Sequence, residues 1–168
     1  IYQDRLSSDY NGLKIAHFTD VHYGRTTDEE DLKKLVKELN ELNPDIVIFT
    51  GDLFDFQNIS EKHKELMIEN LSNIESKLFK FAVIGDYDKK YLDTYKEILE
   101  KSNFVLLDNE SKEVYYKSKT PINFIGLTDY NEEIENLYND YLNITIMHEP
   151  DHIKNISNTN IAFAGHSL

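Results

Sequence analysis

The chain has 168 residues and no cysteine, so its size suits one domain with its own core, and disulfides and thiolate metal sites are excluded. The formal net charge of −13 argues against nonspecific binding to nucleic acid, which needs clustered basic residues. No apolar run approaches the roughly 20 residues of a membrane-spanning helix, and no signal-peptide pattern opens the chain. Because the first residue is Ile1 rather than Met, we expect that an upstream segment has been removed.

The first part of the chain alternates short apolar segments with amphipathic ones. Four of the apolar segments are predicted strands: residues 13–19, 46–49, 81–84 and 104–107. A capping-box pattern at 27–30 predicts the start of a first helix, which ends at Pro44. Ser60 is the predicted N-cap of a second helix, whose buried side continues to Leu78, and a shorter helix follows the third strand. This alternation indicates an α/β fold with parallel strands.

The last third of the chain has a different pattern. Its predicted strands are residues 114–116, 122–125, 142–146 and 161–164. The first three alternate apolar and polar residues more than the earlier strands do, which indicates a second or mixed sheet. A short helix is predicted at 132–138. No linker or repeat divides the chain, so we expect a single α/β domain over residues 1–168.

Five of the predicted strands end on Asp or His. These residues are Asp20 and His22, Asp52 and Asp55, Asp86 and Asp88, His148, and His166. Ligands of open α/β sheets bind at the carboxyl ends of the strands, and Asp with His suits divalent cations. A single Asp after a strand is more often a helix N-cap, and Asp88 is also placed to cap a helix beginning near Lys89. Five such endings together nevertheless predict a shared metal site.

These residues, in this order, resemble the motifs of the calcineurin-like metallophosphoesterase superfamily. Asp20-Val21-His22 matches the first motif and the GDLFD of residues 51–55 matches the second. The GDYD of residues 85–88 stands at the third, His148 at the fourth, and the GHSL of residues 165–168 at the fifth. The surrounding segments GLKIAHFTDVHYG, NPDIVIFTGDLFD and MHEPD are most similar to the bacterial YkuE-type branch. Members of that branch often carry an N-terminal membrane anchor or export signal, which fits the expected upstream segment.

The resemblance implies a fold and a metal centre. The fold would be a two-sheet α/β sandwich of the metallo-dependent phosphatase type, here without its last strands. The cofactors would be two divalent metal ions, manganese first, with iron, zinc or magnesium as alternatives. In the implied ligand set, Asp20 and His22 hold one ion, Asp52 bridges both, and Asp86, His148 and His166 hold the other. A water between the ions would be the nucleophile that attacks phosphorus in line.

The match to the family fails at two places. At the third motif the family has Asn where this chain has Asp86, and His where it has Tyr87. Tyr87 and Asp88 are therefore the catalytic candidates, but a phenol is a poorer proton source at neutral pH than an imidazolium, and Asp88 has lost the imidazole it would orient. The family's last His falls at Leu168, so one ligand of the first ion is missing.

Two functions from different classes remain open. The first is a metal-dependent phosphoesterase that hydrolyses a phosphomonoester, phosphodiester or pyrophosphate bond of a phosphorylated small-molecule or lipid-linked substrate. The second is a degenerate member of the fold that binds metal or another protein with little turnover. Arg25 could reach a phosphate, although a surface role is favoured, and His17 is expected in the core. The compartment stays open between membrane-associated and cytoplasmic.

Overall fold

The computed structural model describes residues 8–55 and 59–166, which form two four-stranded sheets. The first sheet is parallel throughout and contains, in spatial order, β1 (Ile15–Phe18), β2 (Ile46–Phe49), β3 (Phe79–Ala82) and β4 (Val105–Leu106). In the second sheet β5 (Glu110–Val114) runs antiparallel to β6 (Ile122–Leu127), and β7 (Leu142–Met147) and β8 (Ile161–Phe163) continue in parallel. The prediction of a two-sheet α/β sandwich is confirmed.

Three α-helices accompany the first sheet: α1 (Glu29–Glu41), α2 (Glu61–Ser72) and α3 (Leu92–Lys101). The N-cap of α1 is Asp28, whose carboxylate accepts hydrogen bonds from the backbone of Glu30 and Asp31, so the predicted capping box began one residue too early. Ser60 caps α2 as predicted, by accepting a hydrogen bond from the His63 backbone N–H. None of the helices in residues 8–55 and 59–166 combines the length and the hydrophobicity that a membrane-spanning segment needs.

Several predicted boundaries were wrong. The third strand ends at Ala82, because Val83 and Ile84, although buried, already lead the chain towards the turn at Gly85. The second helix ends at Ser72, six residues short of Leu78. The strand expected at 114–116 lies at 110–114, where four exposed polar residues precede one buried valine and hide the apolar signal. The segment predicted as a helix at 132–138 is a 3-10 helix, Glu132–Leu137.

The two central strands of the first sheet are buried on both faces. Ile46 and Ile48 of β2 pack in a core shared with the second sheet, whereas Val47 and Phe49 pack in a core shared with the helices. The continuous apolar run of β2 is therefore explained by cover on both faces of the strand.

Hydrogen bonds join the carboxyl ends of the strands within each sheet and between the two sheets, where the His166 backbone N–H donates to Oδ2 of Asp20 at 3.0 Å. The backbone N–H of Asp20 donates to Gly51 after β2 (3.0 Å), and the N–H of Gly165 donates to His148 after β7 (3.0 Å). The backbones of Gly51 and Gly85 approach so closely that a Cβ on either would collide with the other loop. We call this meeting place of strand ends the carboxyl edge; it holds the polar residues that the sequence analysis singled out.

Candidate metal centre

The structure brings the six candidate ligands together at the carboxyl edge in two groups. The Asp20 group contains Asp20, His22 and Asp52, and the Asp86 group contains Asp86, His148 and His166. Within each group the side chains offer ligand atoms that all lie within 4.8 Å of one another. This division matches the two ligand sets that the family resemblance implied.

Left-handed backbone conformations shape the loops that carry these side chains. Four of the six candidate ligands have positive φ: Asp20 (51°), His22 (45°), Asp52 (60°) and His166 (63°). Outside glycine, such conformations cost roughly 1–2 kcal/mol per residue and persist where the surroundings impose them, often at functional sites. The motifs did not predict this strain, and its concentration here supports a functional role for the carboxyl edge.

The Asp20 group is organised around the His22 ring. Nε2 of His22 lies 3.6 Å from Oδ1 of Asp20 and 3.7 Å from Oδ2 of Asp52. On the other side of the ring, Nδ1 is hydrogen-bonded at 2.9 Å to Oδ1 of Asp55, whose side chain is only 5% exposed. A carboxylate behind a histidine fixes the ring and leaves the far nitrogen facing the ligand position.

The Asp86 group contains one buried and two half-exposed side chains. His148 is buried, with Nε2 3.3 Å from Oδ2 of Asp52. His166 Nδ1 lies 3.5 Å from Oδ2 of Asp86, and His166 Nε2 lies 2.9 Å from Oε1 of Glu149. The contact of Glu149 with His166 resembles that of Asp55 with His22, which supports a role for Glu149 in orienting the His166 ring.

Asp52 occupies the position between the two groups. Its Oδ2 faces both His22 and His148, while Oδ1 accepts a hydrogen bond from the Tyr87 backbone N–H at 2.8 Å. Burial opposes ionisation of Asp52, but its pKa is still lowered, because the His148 imidazole, the Tyr87 N–H and His22 stabilise the anion. Burial likewise disfavours charge on His148, yet the Asp52 carboxylate and the Thr50 carbonyl raise the pKa of His148 to about 9. Both shifts reflect one compact arrangement of opposite charges.

The chemistry of this donor set fits divalent metal ions. Carboxylate oxygens and imidazole nitrogens without thiolates suit manganese, iron, zinc or magnesium. Nε2 of His148 is buried and makes no hydrogen bond within the described part of the chain, although Nδ1 donates to the Thr50 carbonyl at 2.8 Å. An imidazole held in this way by a backbone carbonyl keeps its other nitrogen for a metal, once the proton that competes for that nitrogen has left.

Tyr87 lies at the side of the Asp20 group. Its ring meets the His22 ring edge-on, with centroids 5.2 Å apart, and its backbone is held by Asp52. Its hydroxyl accepts a hydrogen bond from Nη1 of Arg25 at 3.2 Å. The structure therefore places the phenol beside the candidate ligands, at the position where the family resemblance implied an imidazole.

Asp88 is placed differently from Tyr87. Its side chain is fully buried, and its oxygens accept hydrogen bonds from three backbone N–H groups: those of Asp52 (2.8 Å), Leu53 (2.9 Å) and Gly85 (2.9 Å). Burial raises the pKa of Asp88 to about 6, although the three donors partly offset it. The carboxylate therefore ties the loop after β2 to the loop after β3. It does not cap the helix near Lys89.

Two other expectations concern residues near the site. His17 does not lie in the core as expected: it is exposed, bonds Thr50 Oγ1 at 2.9 Å and touches the edge of the Phe163 ring. It belongs to neither ligand group, because its position on β1 precedes the carboxyl edge. Leu168, where the family has its last His, lies outside the described residues.

Comparison with known proteins places the chain among phosphoesterases. A metallophosphoesterase named YkuE from Bacillus subtilis is 25% identical over 169 aligned positions, which cover 94% of this chain and 59% of that protein. A transmembrane protein with a metallophosphoesterase domain from Danio rerio is 29% identical over 119 residues, or 70% of this chain and 26% of that one. A UDP-2,3-diacylglucosamine pyrophosphatase, LpxG, from Chlamydia muridarum is 30% identical over 79 residues, or 46% of this chain and 23% of that one. The chain thus spans less than two thirds of the length of each relative.

The family itself is identified by a match that covers almost the whole chain. The sequence model for calcineurin-like phosphoesterases matches residues 13–167, which include every strand of both sheets and all six candidate ligands. The resemblance inferred from the motifs is confirmed. The chain belongs to the calcineurin-like phosphoesterase family.

Proposed function

We propose that this protein is a metal-dependent phosphoesterase whose two divalent ions are held by the Asp20 group and the Asp86 group, with Asp52 as their shared ligand. One observation carries the proposal: Oδ2 of Asp52 lies 3.7 Å from His22 Nε2 and 3.3 Å from His148 Nε2. A single carboxylate oxygen that faces one imidazole from each group is the arrangement that a bridging ligand requires.

The remaining residues around the two groups hold the candidate ligands in place. Bound divalent ions would supply Lewis acidity and an activated water nucleophile for hydrolysis of a phosphoric ester. Asp55 and Glu149 orient the rings of His22 and His166, and the Thr50 carbonyl orients His148. These contacts fix which ring nitrogen of each histidine faces the ions, so the site is pre-organised before substrate binds.

Tyr87 and Asp88 have separate roles in this proposal. Tyr87 is the candidate that contacts substrate, because its hydroxyl is accessible beside the Asp20 group and can donate a hydrogen bond to a phosphoryl or leaving-group oxygen. Asp88 acts as a positioning residue, because its three hydrogen bonds to backbone N–H groups hold the loops that carry Asp52 and Tyr87. It does not reach the substrate from its buried position.

The substrate class is a phosphorylated small molecule or a lipid-linked phosphate. This part of the proposal is supported by LpxG, which is named for a pyrophosphatase activity on UDP-2,3-diacylglucosamine. Membrane association of the natural protein belongs to the same proposal and is supported by the relative from Danio rerio, which is named as a transmembrane protein. The pronounced negative charge of the chain continues to argue against nucleic acid as the partner.

Metal content and hydrolysis, measured on one preparation, test the proposal. The protein is purified with Mn²⁺, dialysed and analysed for metal per chain, and then assayed with p-nitrophenyl phosphate, bis(p-nitrophenyl) phosphate and inorganic pyrophosphate. We expect about two ions per chain and hydrolysis of at least one probe, both lost with EDTA and restored by Mn²⁺. A preparation without bound metal, or full activity in EDTA, contradicts the proposal.

The second candidate is a family member that binds metal but turns over slowly. The observation that favours it is Tyr87, because the position beside His22 carries a phenol in place of the family's imidazole. The variant Tyr87→His separates the two candidates. If the absence of a histidine general acid is what limits the hydrolysis rate, the variant raises the rate on p-nitrophenyl phosphate by about tenfold or more, at unchanged metal content. An unchanged rate with both ions bound means that Tyr87 is not what limits turnover.

A further inference from the structure

Arg25 is the only arginine in the described part of the chain, and it lies beside the Asp20 group. Its backbone N–H donates to the His22 carbonyl at 3.0 Å, which holds the start of the side chain next to a candidate ligand. Nη1 then reaches Tyr87 Oη at 3.2 Å and Asp55 Oδ2 at 3.5 Å. The side chain is nevertheless 63% exposed, so most of its five N–H donors remain available.

The Arg25 contact determines what the Tyr87 hydroxyl can do. A guanidinium only donates, so the phenol oxygen is the acceptor and the phenol proton is left for another oxygen. The Tyr87 backbone N–H is bonded to Asp52, and the Tyr87 ring packs against the His22 ring with centroids 5.2 Å apart, so the phenol lies beside the Asp20 group. Arg25 and Tyr87 together therefore present N–H and O–H donors beside the metal-ligand groups.

Lys90 adds a second positive charge at the same place. Its Nζ lies 4.2 Å from the centroid of the Tyr87 ring, and in the described part of the chain no carboxylate approaches it within ion-pair distance. The neighbouring Lys89 is different, because it is paired with Asp129 at 3.1 Å and with Asp86 at 3.6 Å. Two cations thus flank one phenol in a chain with a net charge of −13.

We propose that Arg25, Tyr87 and Lys90 form a binding site for a second anionic group of the substrate, next to the phosphoryl group that the metal-ligand groups receive. The inference rests on the proposed function and narrows its substrate class to molecules with two adjacent phosphoryl groups. Forked guanidinium donors suit phosphate oxygens, and a lysine adds a mobile point charge. The six candidate ligands would be engaged with the ions, so this site would be a separate source of affinity.

Paired probes that are not hydrolysed test this site. Methylphosphonate carries one phosphonate and methylenediphosphonate carries two; each is titrated calorimetrically into Mn²⁺-loaded protein at the same free Mn²⁺ concentration in cell and syringe. Arg25→Met keeps an unbranched apolar stem and removes the guanidinium with its charge and donors. We expect this variant to lose about tenfold in affinity for methylenediphosphonate and less than about twofold for methylphosphonate.

Matched variants separate recognition from general charge. Arg25→Lys and Tyr87→Phe each retain part of the site and should give intermediate losses that are specific to the diphosphonate. Lys90→Gln should act in the same direction, whereas Lys34→Gln makes the same change of charge on the exposed face of α1 and should change neither affinity. An equal loss for both probes in Arg25→Met overturns the inference, because Arg25 would then hold the single phosphoryl group at the metals.

The outcomes also distinguish this inference from the proposed function. Hydrolysis of p-nitrophenyl phosphate without a diphosphonate preference that depends on Arg25 leaves the phosphoesterase proposal intact and rejects the second anion site. A diphosphonate preference that depends on Arg25, in a protein that hydrolyses none of the three probes, supports the anion site and rejects turnover. Failure of the wild-type protein to bind methylenediphosphonate rejects the anion site outright.

Discussion

The Asp20 group and the Asp86 group share the Asp52 oxygen, but solvent reaches them to different degrees. In the Asp20 group the His22 side chain is 19% exposed and is backed by the Asp55 carboxylate. In the Asp86 group the side chains of Asp86 and His166 are 43% and 47% exposed, and only His148 is buried. A more enclosed site has fixed ligands and a lower local dielectric, so an ion there should be held more tightly.

The sequence predicts the opposite order of metal affinity for the two groups. The family resemblance assigns the ligand missing at Leu168 to the ion of the Asp20 group, so that ion would have fewer ligands. In the Asp86 group every ligand position that the resemblance implies carries a candidate ligand, and Asp86 adds a negative charge where the family has a neutral amide. Enclosure and ligand number therefore predict opposite orders of affinity, and the order in which the ions leave the protein decides between them.

The largest effect is expected from Asp52→Asn, which removes the negative charge that the two groups share. Both ions should be lost, and the phosphatase rate should fall by at least about 10²-fold. That factor is the upper end of the cost of removing a residue that only orients a metal ligand. Metal per chain and hydrolysis rate are measured together. Asp93→Asn, on the exposed first turn of α3, is the matched control. Normal turnover by Asp52→Asn would rule out a two-metal mechanism with Asp52 as the shared ligand.

The next largest effect concerns one histidine of each group, His166 and His22, whose side chains are 47% and 19% exposed. His166→Ala should retain about one ion per chain, and this ion should dissociate at the rate of the slower phase of metal release from the wild-type protein. His22→Ala should instead retain the ion that dissociates in the faster phase. The rates are measured by stopped-flow transfer of metal to a coloured chelator. The reverse assignment would mean that ligand number outweighs enclosure in this site.

A smaller effect is expected from the residues that orient these histidines. Asp55→Asn should weaken metal binding by about 10- to 100-fold, because the buried carboxylate holds the His22 ring at 2.9 Å. Glu149→Gln should weaken it by less than about tenfold, because Glu149 is partly exposed and water can replace it beside His166. Metal affinity is measured by competition with a chelator of known affinity. Equal losses in the two variants would contradict the difference in enclosure.

The chemistry-bearing residues could be predicted because they follow apolar strands. Carboxyl ends of parallel strands meet at one edge, so Asp20, Asp52 and Asp86 had to lie near one another once their strands were recognised. The same reasoning could not find β5, because four of its five residues are polar and exposed. Residues that follow a buried apolar strand could be predicted, whereas an edge strand whose side chains face solvent could not.

Contacts between loops from different strands were beyond the sequence patterns. The position of Asp88 in the sequence was compatible with a helix cap and with a metal ligand. Only the fold shows that its oxygens bind the backbone N–H groups of Asp52, Leu53 and Gly85. The contact of Arg25 with Tyr87 joins residues 62 positions apart, through two loops that no periodic pattern describes. Such pairings depend on the turns that end the strands. The turns after β1, β2 and β8 pass through left-handed residues, namely Asp20, His22, Asp52 and His166.

The smallest effect is expected from Asp86→Asn, which restores the family residue and sharpens the comparison of the two groups. The substitution keeps an oxygen ligand and removes one negative charge from the more exposed group, so the affinity for its ion should fall by about three- to tenfold. A less neutralised ion is a stronger Lewis acid, so the rate at saturating Mn²⁺ should rise by about threefold. Because Asp86 also pairs with Lys89 at 3.6 Å, Lys89→Gln serves as the control for loss of that contact. Weaker metal binding together with faster hydrolysis means that the negative charge of Asp86 raises the metal affinity of the Asp86 group and lowers the hydrolysis rate. A change in neither quantity would show that Asp86 does not touch the ion, and the Asp86 group would then be reduced to its two histidines.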